Sequence, residues 1–363
     1  MNLTLEAALV TSELHFEKEM NYFFTGRFVN VARDEELPNT GSFLVRKVAG
    51  DEILLTRGSD QSVMAFFNVC RHRGTALVQS AKGTAAKCQM ACPYHAWTYD
   101  CSGKLLAAPG MKEVTGFQAD DWGLTPVACK SWGGFVFVNT DRKAGPLANY
   151  LADFPSKFAN WQVDQLHSAA EIEYDVAANW KLILQNYSEC LHCPSVHPAL
   201  ARLSPPTSGA NDPPNSCYLG GKMSLNDGIQ TMTFSGSSHR PNLPALHSDQ
   251  SRHVYYYILL PNLMVSFHPD YVMTHRLEPV AFNRTRIICQ WLFQPSTIAM
   301  RGFDPADAVG FWDLTNRQDW QMCELTQKGM SSRGYSPGPY SHREHLLFEL
   351  DKVMATQSSG NNG

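Results

Sequence analysis

Hydrophobic and polar positions divide the chain into stretches of different period. In "SELHFEKEMNYFF", residues 12–24, Phe16, Met20 and Phe23 or Phe24 recur at helical spacing behind Thr11 or Ser12 as cap, which predicts an opening amphipathic helix. From about 27 to 140 the pattern shortens to β-rich runs such as "SFLVRKV", "EILLTRG", "VMAFFNV" and "GGFVFVNT", separated by Gly, Asp and Asn turns. A connector with short helices comes next at 141–161, and "SAAEIEYDVAA" opens a second domain with a strand. "NWKLILQNYSECLH" predicts a helix from Asn179 with Ile183, Tyr187 and Cys190 or Leu191 on one face. Residues 201–250, rich in Pro, Ser, Gly and Asn, read as long loops able to cover a pocket. "HVYYYILL", "LMVSFHP", "YVMTHRLEPV" and "RTRIICQWLFQP" then read as a meander of strands. Asp304 at the N-cap, Pro305 at N1 and Gly329 at the end bound a helix of about seven turns. No internal repeat is visible. The expected division is an N-terminal helical segment at 1–26 packed on the second domain, a β domain at 27–145, and an α+β domain at 146–363 whose helices cover an antiparallel sheet.

Composition narrows the function classes. With 44% hydrophobic residues and 11% aromatics the core is ample, and a net charge of -4 disfavours nucleic acid or an anionic membrane as partner. The first twenty residues lack a basic start and a long apolar run, so no export signal is expected. The longest apolar stretch is interrupted by Pro261 and Asn262 and is too short for a membrane span. A cytoplasmic enzyme acting on a small molecule is the expectation. In that setting the ten cysteines are expected as free thiols or ligands rather than disulfides.

Only Cys70 and Cys92 stand in ligand context. Cys70-x-His72 and Cys92-Pro-Tyr-His95 are two Cys/His pairs on loops, with Gly74 and Gly103 as turn residues. Their side chains suit a tetrahedral zinc or an iron–sulfur cluster held by two thiolates and two imidazoles. Downstream, Glu189-x-x-His192 is followed by His197. Glu189 and His192 would share a helical face, and Pro194 would break the helix so that His197 swings toward the same metal. Two His and one carboxylate make the facial triad of O2-activating ferrous iron.

The wording "CRHRG…CPYHAWTYDCSGKL" resembles the cluster loops of the Rieske non-haem iron oxygenases, with Ala96 where "CPYHGWTYD" is usual. Thr75 stands where respiratory Rieske proteins carry an additional disulfide-forming Cys, which favours the oxygenase branch. Cys88 and Cys101, flanking the ligands, are expected as buried packing thiols. The resemblance implies an N-terminal all-β Rieske [2Fe-2S] domain followed by a helix-grip, START-like catalytic domain. It implies Cys70, His72, Cys92 and His95 as cluster ligands, and His192, His197 and Asp319 as ligands of a mononuclear Fe(II). Asp307, Asp313 and Glu324 are nearby competitors of Asp319. His268 and His275, on alternating strands, are candidates for facing the pocket.

The chain carries no dinucleotide fingerprint and no evident flavin motif. The resemblance therefore implies a separate flavin/iron–sulfur reductase that brings electrons from NAD(P)H, with O2 as co-substrate and a homotrimer as assembly. It also implies that Glu189 bridges His192 and a cluster histidine of a neighbouring subunit, His95. "NYxECxHCxxxHP" and the ending "CELTQKGMSSRGYSPGPYSHREHLLFEL" resemble the quaternary-ammonium branch, which acts on glycine betaine, carnitine or stachydrine by N-demethylation or C–H hydroxylation. Aromatic-ring hydroxylation is the runner-up, and a structural zinc protein the distant alternative.

Overall fold

A computed structural model describes residues 2–355. The chain forms two compact units: Asn21–Leu147, and a second that joins the chain up to Met20 with the chain from Ala148 onward. Among the described residues no helix is long and apolar enough to cross a membrane.

The first unit is built of strands β1 (Val29–Arg33), β2 (Ser42–Val48), β3 (Asp51–Arg57), β4 (Val63–Phe67), β5 (Lys82–Thr84), β6 (Gln89–Ala91), β7 (Thr98–Asp100), β8 (Leu105–Ala107), β9 (Pro126–Trp132) and β10 (Phe135–Asn139). Its main sheet has the order β1-β10-β9-β4-β3-β2-β5, and β6-β7-β8 make a separate small sheet. Every residue of β1 and β10 is buried, which explains why "FVFV" lacks polar alternation. Gly103 at the β7–β8 turn has φ +78°, and a Cβ there would lie 2.4 Å from the Phe66 ring. Only glycine permits that approach.

The expectation of free thiols at Cys88 and Cys101 is overturned, because the two form a disulfide with Cα atoms 5.2 Å apart. The reason is register: β6 and β7 pair with Gln89 opposite Asp100, so the residues just outside them face each other. Cys190 and Cys193 form a second disulfide within one turn of chain.

The second unit holds one seven-stranded antiparallel sheet in the order β11-β17-β16-β15-β14-β13-β12. Its strands are β11 (His167–Val176), β12 (Ala210–Asn211), β13 (Tyr218–Ser224), β14 (His253–Leu259), β15 (Leu263–Phe267), β16 (Val272–Ala281) and β17 (Arg284–Phe293). The meander is as expected from β14 onward. β13 falls inside the stretch read as loops, because "LGGK" carries two glycines. A Cβ on Gly220 would meet Tyr256 O at 2.2 Å and the Tyr257 ring at 2.6 Å, so the glycine serves close packing within a strand rather than a turn.

The helices of this unit include α1 (Glu13–Glu19), α2 (Trp180–Tyr187), α3 (Ala306–Met330) and α4 (His345–Ala355). Ser12 caps α1 by accepting from His15 N–H. Asn179 caps α2 by accepting from Lys181 N–H, and its own N–H donates to Gln327 Oε1 of α3 at 2.9 Å. Asp304 accepts from Ala306 N–H at the start of α3. Along α3 the buried positions Ala308, Phe311, Trp312, Thr315, Asn316, Trp320, Cys323, Gln327 and Met330 follow the helical period. Thr315 and Asn316 put polar groups into the middle of that stripe, one turn from Asp319.

Candidate metal centres

The two Cys/His loops of the first unit are built alike. Cys70 N–H donates to Thr75 O and Gly74 N–H to Cys70 O, at 2.8 and 3.0 Å. Cys92 N–H donates to Trp97 O and Ala96 N–H to Cys92 O, again at 2.8 and 3.0 Å. Each loop thus folds over its own cysteine, and the fourth residue after the cysteine is left-handed in both, Gly74 at φ +76° and Ala96 at φ +55°. Cys70 and Cys92 sit in the hydrophobic cluster with Phe66, Trp97 and Tyr99, whereas His72 is exposed and His95 half-buried. The imidazoles of His72 and His95 meet with centroids 4.6 Å apart, and His72 stacks on Trp97. The Tyr99 hydroxyl accepts from Arg71 N–H at 3.0 Å, which leaves its proton for Cys70 Sγ at 3.5 Å.

A single tetrahedral zinc would draw all four donors to within roughly 4 Å of one another. Among the described residues a gathering of three or more donors within 4.8 Å occurs at His192, His197 and Asp319, and the four Cys/His donors do not form one. Buried sulfurs on one side and imidazoles at the surface fit a binuclear cluster with different ligands on its two irons.

The expected helix through Glu189 and His192 is not formed. α2 ends at Tyr187, where Ser188 Oγ turns back to donate to Leu184 O. Glu189 reaches His192 instead by a tight turn, its carboxylate accepting from both Leu191 N–H and His192 Nδ1–H. Pro194 does not break a helix but opens a new turn, Cys193–Val196, where a missing N–H costs nothing. His197 ends that turn and precedes the helical segment Pro198–Leu203.

His192, His197 and Asp319 come together as the resemblance implied. Asp319 Oδ1 lies 2.7 Å from His197 Nε2 and 3.2 Å from His192 Nε2. Both imidazoles are held from behind: His192 Nδ1 by Glu189, and His197 Nδ1 by Gln318 Oε1 at 2.8 Å. Acceptors behind each Nδ1 keep a proton there, so a metal that displaces the Nε2 protons now facing Asp319 meets both Nε2 lone pairs at the shared point. Gln318 was missed by sequence reasoning, and no spacing signal could have found it. Burial alone would raise the Asp319 carboxyl, but hydrogen bonds from His192 and His197 hold it below its ordinary value. For His192 burial favours the neutral ring, yet Asp319 and Glu189 outweigh it and raise the imidazole to about 9. The donor set of two imidazoles and a carboxylate fits ferrous iron with open positions.

The competing acids are engaged elsewhere. Asp307 pairs with Arg240 at 2.6 Å, Asp313 accepts from Tyr174 O–H at 2.9 Å, and Glu324 accepts from Ala177 N–H at 3.0 Å.

A cavity of about 330 Å³ opens beside these three donors. Tyr187, Tyr256, Trp312 and Trp320 bring aromatic rings to it. In β14, Tyr256 and Ile258 line it, while Tyr255 and Tyr257 pack on the opposite side against the connector aromatics Phe158 and Trp161. His342, Arg343 and Lys222 also line the cavity, and among the described residues the only carboxylates in its wall, Glu189 and Asp319, are bound to the histidines. Of the two candidate histidines, His275 lines the cavity and His268 does not; His268 is fully buried against Tyr271 and Trp312, with ring centroids 4.2 and 5.4 Å away.

Two family models match the chain: Rieske [2Fe-2S] domain over residues 27–118, and ring hydroxylating alpha subunit (catalytic domain) over residues 163–360. The glycine betaine monooxygenase oxygenase subunit of Chromohalobacter salexigens is 30% identical over 354 residues, 90% of this chain and 79% of that one. The carnitine monooxygenase oxygenase subunit of Escherichia coli is 37% identical over 200 residues, 54% of this chain and 53% of that one. A structure of the quaternary ammonium Rieske monooxygenase, described for carnitine oxidation by gut microbiota and inter-subunit electron transfer, superposes with a TM-score of 0.81 at 25% identity, covering 98% of this chain and 95% of that one.

Proposed function

The chain belongs to the Rieske non-haem iron oxygenases, a family of oxidoreductases, and from that premise we propose that it is an oxygenase component that hydroxylates a small quaternary ammonium compound. The observation that carries the substrate class is the cavity wall: aromatic rings of Tyr187, Tyr256, Trp312 and Trp320, with no carboxylate among the described residues left over to pair a cation. Aromatic faces stabilise a desolvated onium group by roughly 0.5–2 kcal/mol each. Arg343 and Lys222 offer positive charge to a carboxylate at the other end of a betaine-like molecule.

Cys70, His72, Cys92 and His95 would hold a [2Fe-2S] cluster, and His192, His197 and Asp319 a mononuclear Fe(II). When bound, the two groups supply electron transfer and O2 activation. The chain's own residues orient and exclude. Glu189 and Gln318 fix the tautomers of the two imidazoles, and the aromatic wall presents a methyl or methylene carbon to the triad while keeping water out. In the overall balance the substrate C–H gains one oxygen atom of O2, the other leaves as water, and NAD(P)H supplies two electrons through a separate flavin/iron–sulfur reductase. An N-hydroxymethyl product is a hemiaminal that loses formaldehyde, giving net N-demethylation; attack on a C–H remote from nitrogen gives a stable alcohol.

Glu189 has a further part. One carboxylate oxygen takes His192 Nδ1–H, and in a homotrimer the carboxylate is the natural bridge to the partner subunit's His95. Glu189→Gln is expected to retain both metals and lose turnover by about 100-fold or more, since second-partner groups tune what a ligand can do; normal turnover would sink the bridge.

The experiment is in two steps. A visible spectrum with Rieske-type absorption, together with iron and sulfide analysis, excludes a zinc protein. Oxygen uptake with a matched reductase is then measured across glycine betaine, carnitine, stachydrine and aromatic acids. Turnover of an aromatic acid with no uptake on any ammonium compound replaces this reading with ring hydroxylation.

A further inference from the structure

His275, on β16, lines the cavity and is 1% exposed, and its Nδ1 has no hydrogen-bond partner among the described residues. Which form of the ring faces the cavity follows from a chain of hydrogen bonds behind it. Asp313, paired with Arg317 at 2.9 Å, is a carboxylate and only accepts, so the single Tyr174 O–H proton goes to it at 2.9 Å. Tyr174 oxygen must therefore accept from Asn316, whose Nδ2 lies at 3.3 Å and also points at Cys289 Sγ, 3.7 Å away. That orientation turns Asn316 Oδ1 toward His275 Nε2, at 3.2 Å, and a carbonyl there demands a proton on Nε2. A neutral imidazole has only one proton, and burial, pushing this one down to about 4, keeps it neutral. Nδ1 is left as a bare lone pair, desolvated, at the wall of the cavity that Tyr256, Met273 and Trp320 share.

We propose that His275 Nδ1 accepts a hydrogen bond from an O–H or N–H group of the substrate, so that the cavity selects, among small onium compounds, those that carry such a donor. The inference rests on the reading of this cavity as the substrate site. A buried acceptor left unpaired is costly, so a ligand that lacks the donor binds less well than one that supplies it. Nδ1 has no proton to give, so a donor-free acceptor group at the same place is disfavoured too.

Two pairs of probes test it by calorimetry on the iron-loaded protein without O2. L-carnitine and γ-butyrobetaine differ by one hydroxyl, and N,N-dimethylglycine and glycine betaine differ by an ammonium N–H. The donor-bearing member of one pair is expected to bind about tenfold tighter or better; the pair that discriminates tells whether the donor is O–H or N–H. His275→Leu is expected to erase that preference, and His275→Gln, which keeps an acceptor, to retain part of it. The wild-type comparison stands even if a variant fails to fold. Equal affinities within both pairs overturn the inference and leave the cavity reading intact, as does a preference that persists in His275→Leu. Binding of none of the four removes the cavity reading and the inference together.

Discussion

The two candidate metal centres achieve the same end, donors pointed at one place, by opposite means. In the Cys/His loops the backbone does the aiming: each cysteine is wrapped by hydrogen bonds to the residues four and five positions later, so each ligand pair depends on its own short stretch of chain. At His192, His197 and Asp319 the aiming is done by side chains from different elements. Glu189 holds one ring, Gln318 of α3 the other, and Asp319 arrives from a helix more than a hundred residues away. Local loops make a site that is robust and readable; a site assembled across the fold can be tuned one partner at a time, and is open on one side to a cavity.

The largest test of this contrast removes one donor from each centre. Asp319→Ala is expected to lower Fe(II) affinity at the mononuclear site by roughly 100-fold or more and to abolish turnover, while cluster absorption stays unchanged. Cys92→Ala should do the reverse to the cluster absorption. Iron analysis with visible spectra reads both, and loss of the cluster in Asp319→Ala refutes independent construction.

Gln318→Leu probes the tertiary aiming alone. Without its acceptor His197 is free to change tautomer, and metal affinity is expected to fall about 10- to 100-fold, with Gln318→Glu restoring most of it. An unchanged affinity in Gln318→Leu means that packing, not the hydrogen bond, orients the ring.

A pH titration bears on the other ring. His192 in the metal-free chain is raised to about 9 because Asp319 and Glu189 outweigh the burial that opposes its charge. The bound proton stabilises the metal-free fold fully below the ordinary histidine value near 6.5, and this contribution is lost as pH rises through about 9. A metal must displace that proton, so apparent affinity for Co(II) is expected to rise about tenfold per pH unit between roughly 7 and 9. A flat profile shows that the ring is already neutral.

The smallest effect belongs to the local site. Ala96 at φ +55° carries a left-handed strain that its counterpart Gly74 avoids. Ala96→Gly relieves roughly 1–2 kcal/mol of it and gives back up to about 1 kcal/mol as unfolded-chain entropy, for a net gain on the order of 0.5–1 kcal/mol in chemical denaturation of the cluster-loaded protein. A loss of stability instead would show that the Ala96 methyl group packs favourably.

The two Cys/His loops, both domain types, the meander from β14 onward and the cap at Ser12 were legible because each is written within a few residues, where capping, alternation and loop closure act; the long helix was also foreseen, but its N-cap is Pro305, one residue after the expected Asp304. Errors came where distant chain intervenes. β13 was hidden because the glycine that reads as a turn is there to admit Tyr257 from the next strand. Cys88 and Cys101 read as packing thiols until the β6–β7 register set them opposite each other. The helix drawn through Glu189 and His192 was wrong because Ser188 and Glu189 cap and turn the chain with their own side chains.

By itself, then, the sequence determined which residue types would gather at the candidate centres and roughly which elements would carry them, since ligand chemistry and short-range backbone preference need no partner from elsewhere. Only the tertiary structure decided the protonation and aim of those residues. Gln318 behind His197, Asn316 behind His275 and the aromatic wall facing the triad are set by packing a helix on a sheet, and a hydrogen bond between residues far apart in the chain leaves no periodicity to read.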